Sequence, residues 1–593
     1  MSAIEKFALG VTRSVTGRAW RLREVSQRDA LAISERHGIP ELLGRVLAGR
    51  NVLLDDVPGY LSPTLKNLLP DPSVLADMDR AVERIVAAVT QGEGIGIIGD
   101  YDVDGMSSTA LLAEFLERAG VKPAVHLPDR LREGYGPSLE AVARLAGQGV
   151  GLLVTLDCGT SAEAAIAAAN ELGMDCVVVD HHLPGPALPR AHAVVNPRRQ
   201  DDISGLDHLS AAGITFLLLV GLSRALKTAG HWTSEPPDLL AALDLVALAT
   251  VCDVVPLTGL NRAFVTQGLK VMARRERVGL AALADMARLS RAPDPHALGF
   301  VLGPRLNAAG RIGDAALGLR LLLTRDRGEA NVIAQELEKL NRERQSIELA
   351  AVEEAYAQAD AGIAVGAPMP ILFAQGESWH PGVLGLVASR LRERYGVPAF
   401  ALAPTREEGL LSGSGRSVAG FDLGRAVAAA VEAGLLVKGG GHAMAAGLTA
   451  RAGDVEALKA FLASAVGEPA QAAPWLDLEG ALSAGGATAD LVALLARAGP
   501  YGSGNPEPVF AFPAHRVAYA DAAGSDHVRC TLVAGDGSRL KAIAFRSMGT
   551  ELGEMLLSER ALPLHVAGRL CLDTWNGRRD AQLLIEDVAE IRA

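Results

Sequence analysis

Residues 94–105 read Gly94-Ile95-Gly96-Ile97-Ile98-Gly99-Asp100-Tyr101-Asp102-Val103-Asp104-Gly105. Glycine and isoleucine give way to three acids spaced two apart, the pattern of a short buried strand running into an acidic loop. Working outward, apolar runs at 94–99, 124–127, 152–156 and 176–179 alternate with Ala-rich helical stretches at 109–118, 139–146 and 162–172. That alternation through residues 94–250 predicts an α/β fold built on a parallel sheet. Three of the four runs end in potential ligands: GDYDVDG, then Asp157-Cys158-Gly159, then Asp180-His181-His182. Ligands of open parallel sheets sit beyond the carboxyl ends of the strands, so these residues converge on one crevice. A further acid, Asp253, follows an apolar helix in VCDVV (251–255).

Carboxylates and imidazoles without cysteine favour Mn²⁺ or Mg²⁺ over structural zinc. Several acids packed together cannot all stay ionised without cations. A pair of ions ~3.5–4 Å apart resolves that repulsion. Two other readings of the same letters fail. An EF-hand loop beginning at Asp100 needs Glu at its twelfth position, which is Leu111, and a strand precedes it. The Gly94-x-Gly96-x-x-Gly99 spacing matches a dinucleotide fingerprint, but its glycines lie inside the strand and an acidic loop would face the pyrophosphate.

Beyond the sheet, residues 327–361 contain no proline and a single glycine, predicting one long connecting helix of ~50 Å. A second α/β block follows from 370 to 465, then a Pro/Ala linker at 467–474. From Val509 onward, the short alternating runs VFAFP, HVRCTLVAG, RLKAIAF, LPLHVAGRLCL and AQLLIEDV predict a small β-barrel. The expected division of the 593 residues is 1–60, an N-terminal helical region; 61–326, the α/β domain carrying the acidic motifs; 327–361, the connecting helix; 362–466, the second α/β domain; and 475–593, the barrel domain.

Composition sets the remaining bounds. Hydrophobic residues make up 49% and aromatics 4%, which predicts aliphatic cores, and a net charge of −12 argues against a passive basic coat for nucleic acid. Five scattered cysteines suit a reducing cytoplasm. The opening MSAIEKFALGVTR lacks the apolar core of a signal peptide. The apolar stretch 239–255 carries Asp244 and Asp253, so it reads as a buried helix, not a membrane span.

GDYDVDG, LDCG, VVDHH and CDVV, in this order, resemble the motifs of the DHH phosphoesterase family. PDRLREGYG (128–136), GPRLNAAGRIGDA (303–315), SWHPGVLGLVASRL (378–391), SGSGRS (412–417), GGGHAMAAG (439–447) and PYGSGNPEPVF (500–510) extend the likeness to the family's single-strand-specific exonucleases, over nearly the whole chain. The resemblance implies a DHH catalytic domain, a connecting helix, a DHH-associated domain and a C-terminal OB-fold. It implies a hydrolase that degrades single-stranded DNA from the 5′ end to 5′-mononucleotides by two-metal-ion chemistry with Mn²⁺ or Mg²⁺, in DNA repair and recombination. By the same resemblance Asp102, Asp104, Asp157, His181 and Asp253 bind metal, Asp157 bridges the two ions, Asp180 orients a histidine, and His182 faces the phosphate or supports the site. Single-stranded DNA is the implied partner, with a single-strand-binding protein and a RecQ-like helicase as candidate protein partners and no membrane. One departure stands out: many relatives carry a histidine where this chain has Ile98, which implies fewer ligands for one metal.

For the substrate, Arg130, Arg305, Asn307, Arg311, Ser414 and Arg416 supply donors for phosphate oxygens, with His442 as a further donor. In the barrel, Phe510, Phe512, Phe545 and Trp575 are aromatic candidates for base stacking. Trp575, in a turn-like TWNG, is the best of them, and most of the others read as core. Two rival functions differ in what they need. A phosphoesterase for short oligonucleotides or cyclic dinucleotides needs neither barrel nor arginine track. A catalytically dead scaffold would have lost metal ligands, and the principal ones are present.

Overall fold

The computed structural model describes residues 7–130, 132–232, 235–364, 369–466, 474–558, 562–573 and 579–591. They divide into two compact units. One comprises Pro70–Asp253 with Gln267–Ala470; the other comprises Met1–Leu69, Val254–Thr266 and Gln471–Ala593.

In the first unit a parallel sheet runs in the order Ala124–His126, Gly94–Gly99, Val150–Leu156, Asp175–Val179, Ala193–Val195. The last strand, too short to stand out in sequence, completes it. Ile97, Val154, Leu156 and Val177 to Val179 are fully buried, as a sheet covered on both faces requires. The helix Val103–Arg118 starts on Asp102, whose side chain accepts from the amide of Gly105 at 3.0 Å. Helix Ala211–Thr228 has the length and apolar composition to cross a membrane. Here it is mostly interior, its side chains from Ala211 to Leu219 all buried. Leu243–Cys252, from the predicted apolar stretch, is a buried helix.

The long helix spans Arg327–Ala364, 38 residues, and leads to a second sheet. Its strand order is Lys438–His442, Ala445–Arg451, Leu410–Arg416, Ala399–Pro404, Leu372–Gln375, parallel only in the last pair.

In the second unit, strands Phe510–Ala523, His527–Val533, Arg539–Ala544, Asp580–Glu590 and Leu564–Asp573 close into a barrel, because the first also pairs with the last. Its core is continuous with N-terminal residues: Leu43, Val46 and Leu47 pack in one apolar cluster with Phe510, Phe512 and Val566. The strand Ala19–Leu22 pairs with Trp475–Leu478, and buried Trp20 donates from Nε1 to Asp587 at 2.9 Å. Arg262, 3% exposed, lies 3.8 Å over the Tyr60 ring and donates to the carbonyls of Ala498 and Gly499. The turn leading into the PYGSGN segment is thereby held, with its buried carbonyls satisfied.

Register fixes the barrel's outer face. Arg516, Val533 and Arg539 lie side by side across three strands, as do Tyr519, Thr531 and Lys541. Side chains paired this way share a face, and the intervening Val528, Cys530, Leu532, Leu540 and Ala542 are buried in the barrel. Phe510 and Phe512 are fully buried, which confirms them as core, while Phe545 is 56% exposed. Trp575 lies outside the described residues.

Candidate active site

Three acids extend the sheet's hydrogen-bond ladder just past its strand ends. The amide of Asp100 donates to Leu156, that of Asp157 to Val179, and that of Asp180 to Val195. Each carboxylate therefore leaves the sheet at the same edge, one strand apart. Asp157 takes a left-handed backbone conformation with φ at 61°, an uncommon choice for a non-glycine residue and the kind that clusters at active sites.

His181 stands at the centre. Its Nε2 lies 3.3 Å from Asp157 Oδ1, 3.6 Å from Asp253 Oδ2 and 3.8 Å from Asp104 Oδ2. Burial presses its pKa down to about 3, so the ring is a neutral donor of a lone pair. Asp104 accepts from the amides of Ala211 and Ala212 at 2.7 and 2.8 Å, at the positive end of helix Ala211–Thr228. Burial, then the charge of Asp102, still raises its pKa to about 7. Asp100, Asp157 and Asp253 are pushed up as well, by burial first and by neighbouring carboxylates second.

Asp180 behaves differently. It accepts from the amides of Thr160, His181 and His182 and from Nδ1 of His182 at 2.8 Å. Burial opposes its charge, but the bonds from His182 and Thr160 outweigh it and hold the pKa far below the usual range. Asp180 thus orients His182, and that ring stacks at 6.0 Å on His442.

This donor set fits divalent cations. Asp100 Oδ1 and Asp157 Oδ1 are buried without a hydrogen bond. Three overlapping groups bring donor atoms within 4.8 Å of one another: Asp157, His181 and His182; Asp104, His181 and Asp253; Asp100, Asp102 and Asp157. All five residues expected to bind metal converge, joined by Asp100 and His182. Ile98 contributes nothing: it packs into an apolar cluster with Val142 and Cys158.

Three guanidinium groups gather nearby. Burial, then the charge of Arg130, lowers the pKa of Arg311 to about 10, and the same two causes lower that of Arg416. Arg130 lies 5.1 Å over the ring of Tyr101, within the acidic loop. Arg416 donates from Nη1 to Ser414 Oγ at 3.1 Å and to Gly415 O at 2.9 Å. Glycine is required beside Arg311, where a Cβ at Gly382 would lie 2.2 Å from the Arg311 carbonyl, and a Cβ at Gly385, 2.8 Å from Arg416 Nη2, would displace that guanidinium. Guanidinium groups crowded together favour the approach of an anion.

Arg305 does not join them. Its Nε pairs with Glu338 at 2.7 Å on the long helix, because position 305 lies about a third of a turn or more from Asn307 and Arg311 around helix Gly303–Ile312.

Two residues escaped sequence reading. Tyr135 donates its hydroxyl to the Asp157 carbonyl at 2.9 Å, with Nδ1 of His182 at the same distance. Asn196 donates to the His182 carbonyl and to Thr160 Oγ1. Their only sequence signal is position, in the GYG turn and just past the fifth strand.

Comparison with known proteins agrees with this geometry. Residues 94–250 match the DHH family, N-terminal domain; 368–468 match the DHHA1 domain; and 478–587 match the RecJ OB domain. The single-stranded-DNA-specific exonuclease RecJ of Salmonella typhimurium is 36% identical over 95% of this chain and 99% of its own length. Its Escherichia coli counterpart is 35% identical over 96% and 98%. The crystal structure of Thermus thermophilus RecJ with Mn²⁺ superposes with a TM-score of 0.80 at 29% identity, covering 97% of this chain and 80% of that one. Motif order, converging ligands and full-length similarity together place the chain in the DHH family, as a member of the RecJ exonucleases.

Proposed function

We infer that this chain is a metal-dependent exonuclease that hydrolyses phosphodiester bonds of single-stranded DNA. The observation that carries the reading is one site in which buried acids around His181 adjoin the Arg130, Arg311 and Arg416 cluster. Asp102, Asp104, Asp157, His181 and Asp253 hold the divalent ions, Mn²⁺ or Mg²⁺, with Asp100 and His182 able to complete the set. When bound, two such ions supply a water of lowered pKa and a clamp on the phosphoryl oxygens.

The protein's own groups do the rest. Asp180 fixes His182 through Nδ1, leaving Nε2 to face a phosphate oxygen. Arg130, Arg311 and Arg416, with Ser414, hold the terminal phosphate of a 5′ end, so cleavage runs 5′→3′ and releases 5′-mononucleotides. On the barrel, Arg516, Arg539 and Lys541 with Tyr519 and Phe545 offer charge and stacking surface to a longer strand. The expected setting is DNA repair and recombination in the cytoplasm, with a single-strand-binding protein and a RecQ-like helicase as protein partners. The domain division proposed is a catalytic domain at 61–326, the connecting helix, a DHH-associated domain at 362–466 and the barrel domain at 475–593, with residues 1–60 ahead of them.

The test is digestion of end-labelled DNA in Mn²⁺. Rapid loss of single strands, with duplexes and closed circles spared, supports the reading. Activity on dinucleotides but none on long strands would instead indicate a phosphoesterase for small substrates.

A further inference from the structure

Among the described residues Phe300 is the most exposed phenylalanine, tyrosine or tryptophan, at 73%. Single exposed apolar residues are ordinary, but three features set this one apart. It is paired: the ring stacks on that of exposed His296, four residues earlier, at 4.9 Å and 25°. It is mounted on a π-helical segment, Ala297–Leu302, a rare geometry frequent at functional sites. Cys252, beside the candidate ligand Asp253, anchors that segment: its thiol reaches the Leu298 carbonyl at 3.5 Å, and a Cβ at Gly303 would lie 2.5 Å from its sulfur.

Position supplies the third feature. The segment runs directly into helix Gly303–Ile312. Residues 300, 304, 307 and 311 recur at spacings of four, three and four, one stripe of a helix. Along it Phe300 is exposed and Pro304, Asn307 and Arg311 are half-buried, whereas Leu306, Ala308, Ala309 and Gly310 are buried. The open stripe thus leads from Arg311, in the guanidinium cluster, to the aromatic pair. Eleven residues at ~1.5 Å each make ~16 Å, a few nucleotides of extended strand.

We propose that Phe300 and His296 form a stacking platform for a nucleobase of the strand whose phosphates meet Arg311. This rests on the nuclease reading above and adds a base-contacting subsite to it. Stacking is sequence-tolerant, because every base has a π-face, so the platform adds grip without sequence preference.

The experiment measures fluorescence anisotropy in EDTA with labelled oligothymidylates of about 2 nucleotides, too short to span from Arg311 to Phe300, and about 20 nucleotides. In Phe300→Ala, the affinity gained by lengthening the strand should fall about 5- to 150-fold, the range for one stacked base. Phe300→Trp should retain it. A single abasic nucleotide walked inward from the 5′ end should weaken binding of the native protein at one position, and Phe300→Ala should erase that dip. A change in Phe300→Ala of under about twofold on the longer strand, or an equal loss on both lengths, overturns the platform. Failure of the native protein to degrade the longer strand in Mn²⁺ would overturn the nuclease reading. A native protein that degrades it, with an indifferent Phe300→Ala, removes the platform alone.

Discussion

Asp157 Oδ1 lies 3.3 Å from Nε2 of His181, buried, and no hydrogen bond satisfies it. A carboxylate shared between two of the candidate ligand groups is the one whose loss disables both. Asp157→Ala should therefore lower cleavage in Mn²⁺ by about 10²- to 10³-fold, as loss of a principal electrostatic contributor does. Circular dichroism and strand binding in EDTA should stay close to native. Turnover within tenfold of native would refute the bridging role.

The same acids make stability depend on pH and metal. In the metal-free fold Asp104 has its pKa raised to about 7 from an ordinary value of 3.8, so the folded state holds that proton more tightly than the unfolded one. Its contribution to stability is fully present below about pH 4 and is lost as pH rises through about 7. Thermal unfolding in EDTA should show a lower Tm at pH 8 than at pH 6, and Mn²⁺ should raise Tm more at pH 8. A metal-induced gain larger at pH 6 would contradict the assignment.

Arg416 tests the end pocket. Its guanidinium is braced by Ser414 and crowded by Arg130, an arrangement that an incoming phosphate dianion relieves. Arg416→Ala should slow digestion of 5′-phosphorylated strands about 10- to 150-fold, the worth of a charge-assisted bond of roughly 1.5–3 kcal/mol. Strands with a 5′-hydroxyl should suffer far less. Matched oligonucleotides differing only in that end group provide the measurement, and an equal loss on both would exclude an end-phosphate contact.

The barrel face calls for point substitutions, since removing Val509 to Ala593 would strip Phe510 and Phe512 from a core they share with Leu43 and Val46. Arg516 and Arg539 are exposed on the face and suit the purpose. Arg516→Ala with Arg539→Ala should reduce the slope of log affinity against log salt by about 0.7 for each phosphate left without its arginine on a long single strand. An unchanged slope would show that the strand does not follow this face.

Much of this was legible in the sequence because it depends on local pattern. Apolar runs of strand length tipped with Asp100, Asp157 and Asp180 can only end at one sheet edge, since parallel strands joined by helices all point the same way. The long helix was equally plain, being a stretch without proline and with glycine only near its ends. What residue type and order could not decide was which side chain faces which neighbour. Arg305 and Arg311 sit in one motif, yet one is turned onto Glu338 and the other into the guanidinium cluster, because six residues of helix leave them about a third of a turn apart. Phe545 is exposed where Phe512 is buried because it falls in the turn just past strand Arg539–Ala544, next to buried Ala544. Residues far apart in the chain, such as Trp20 with Asp587 and Leu43 with Phe510, share a core only because folding buries apolar surface without regard to sequence distance. The chemistry was thus written in composition and spacing, and the tertiary structure decided who touches whom.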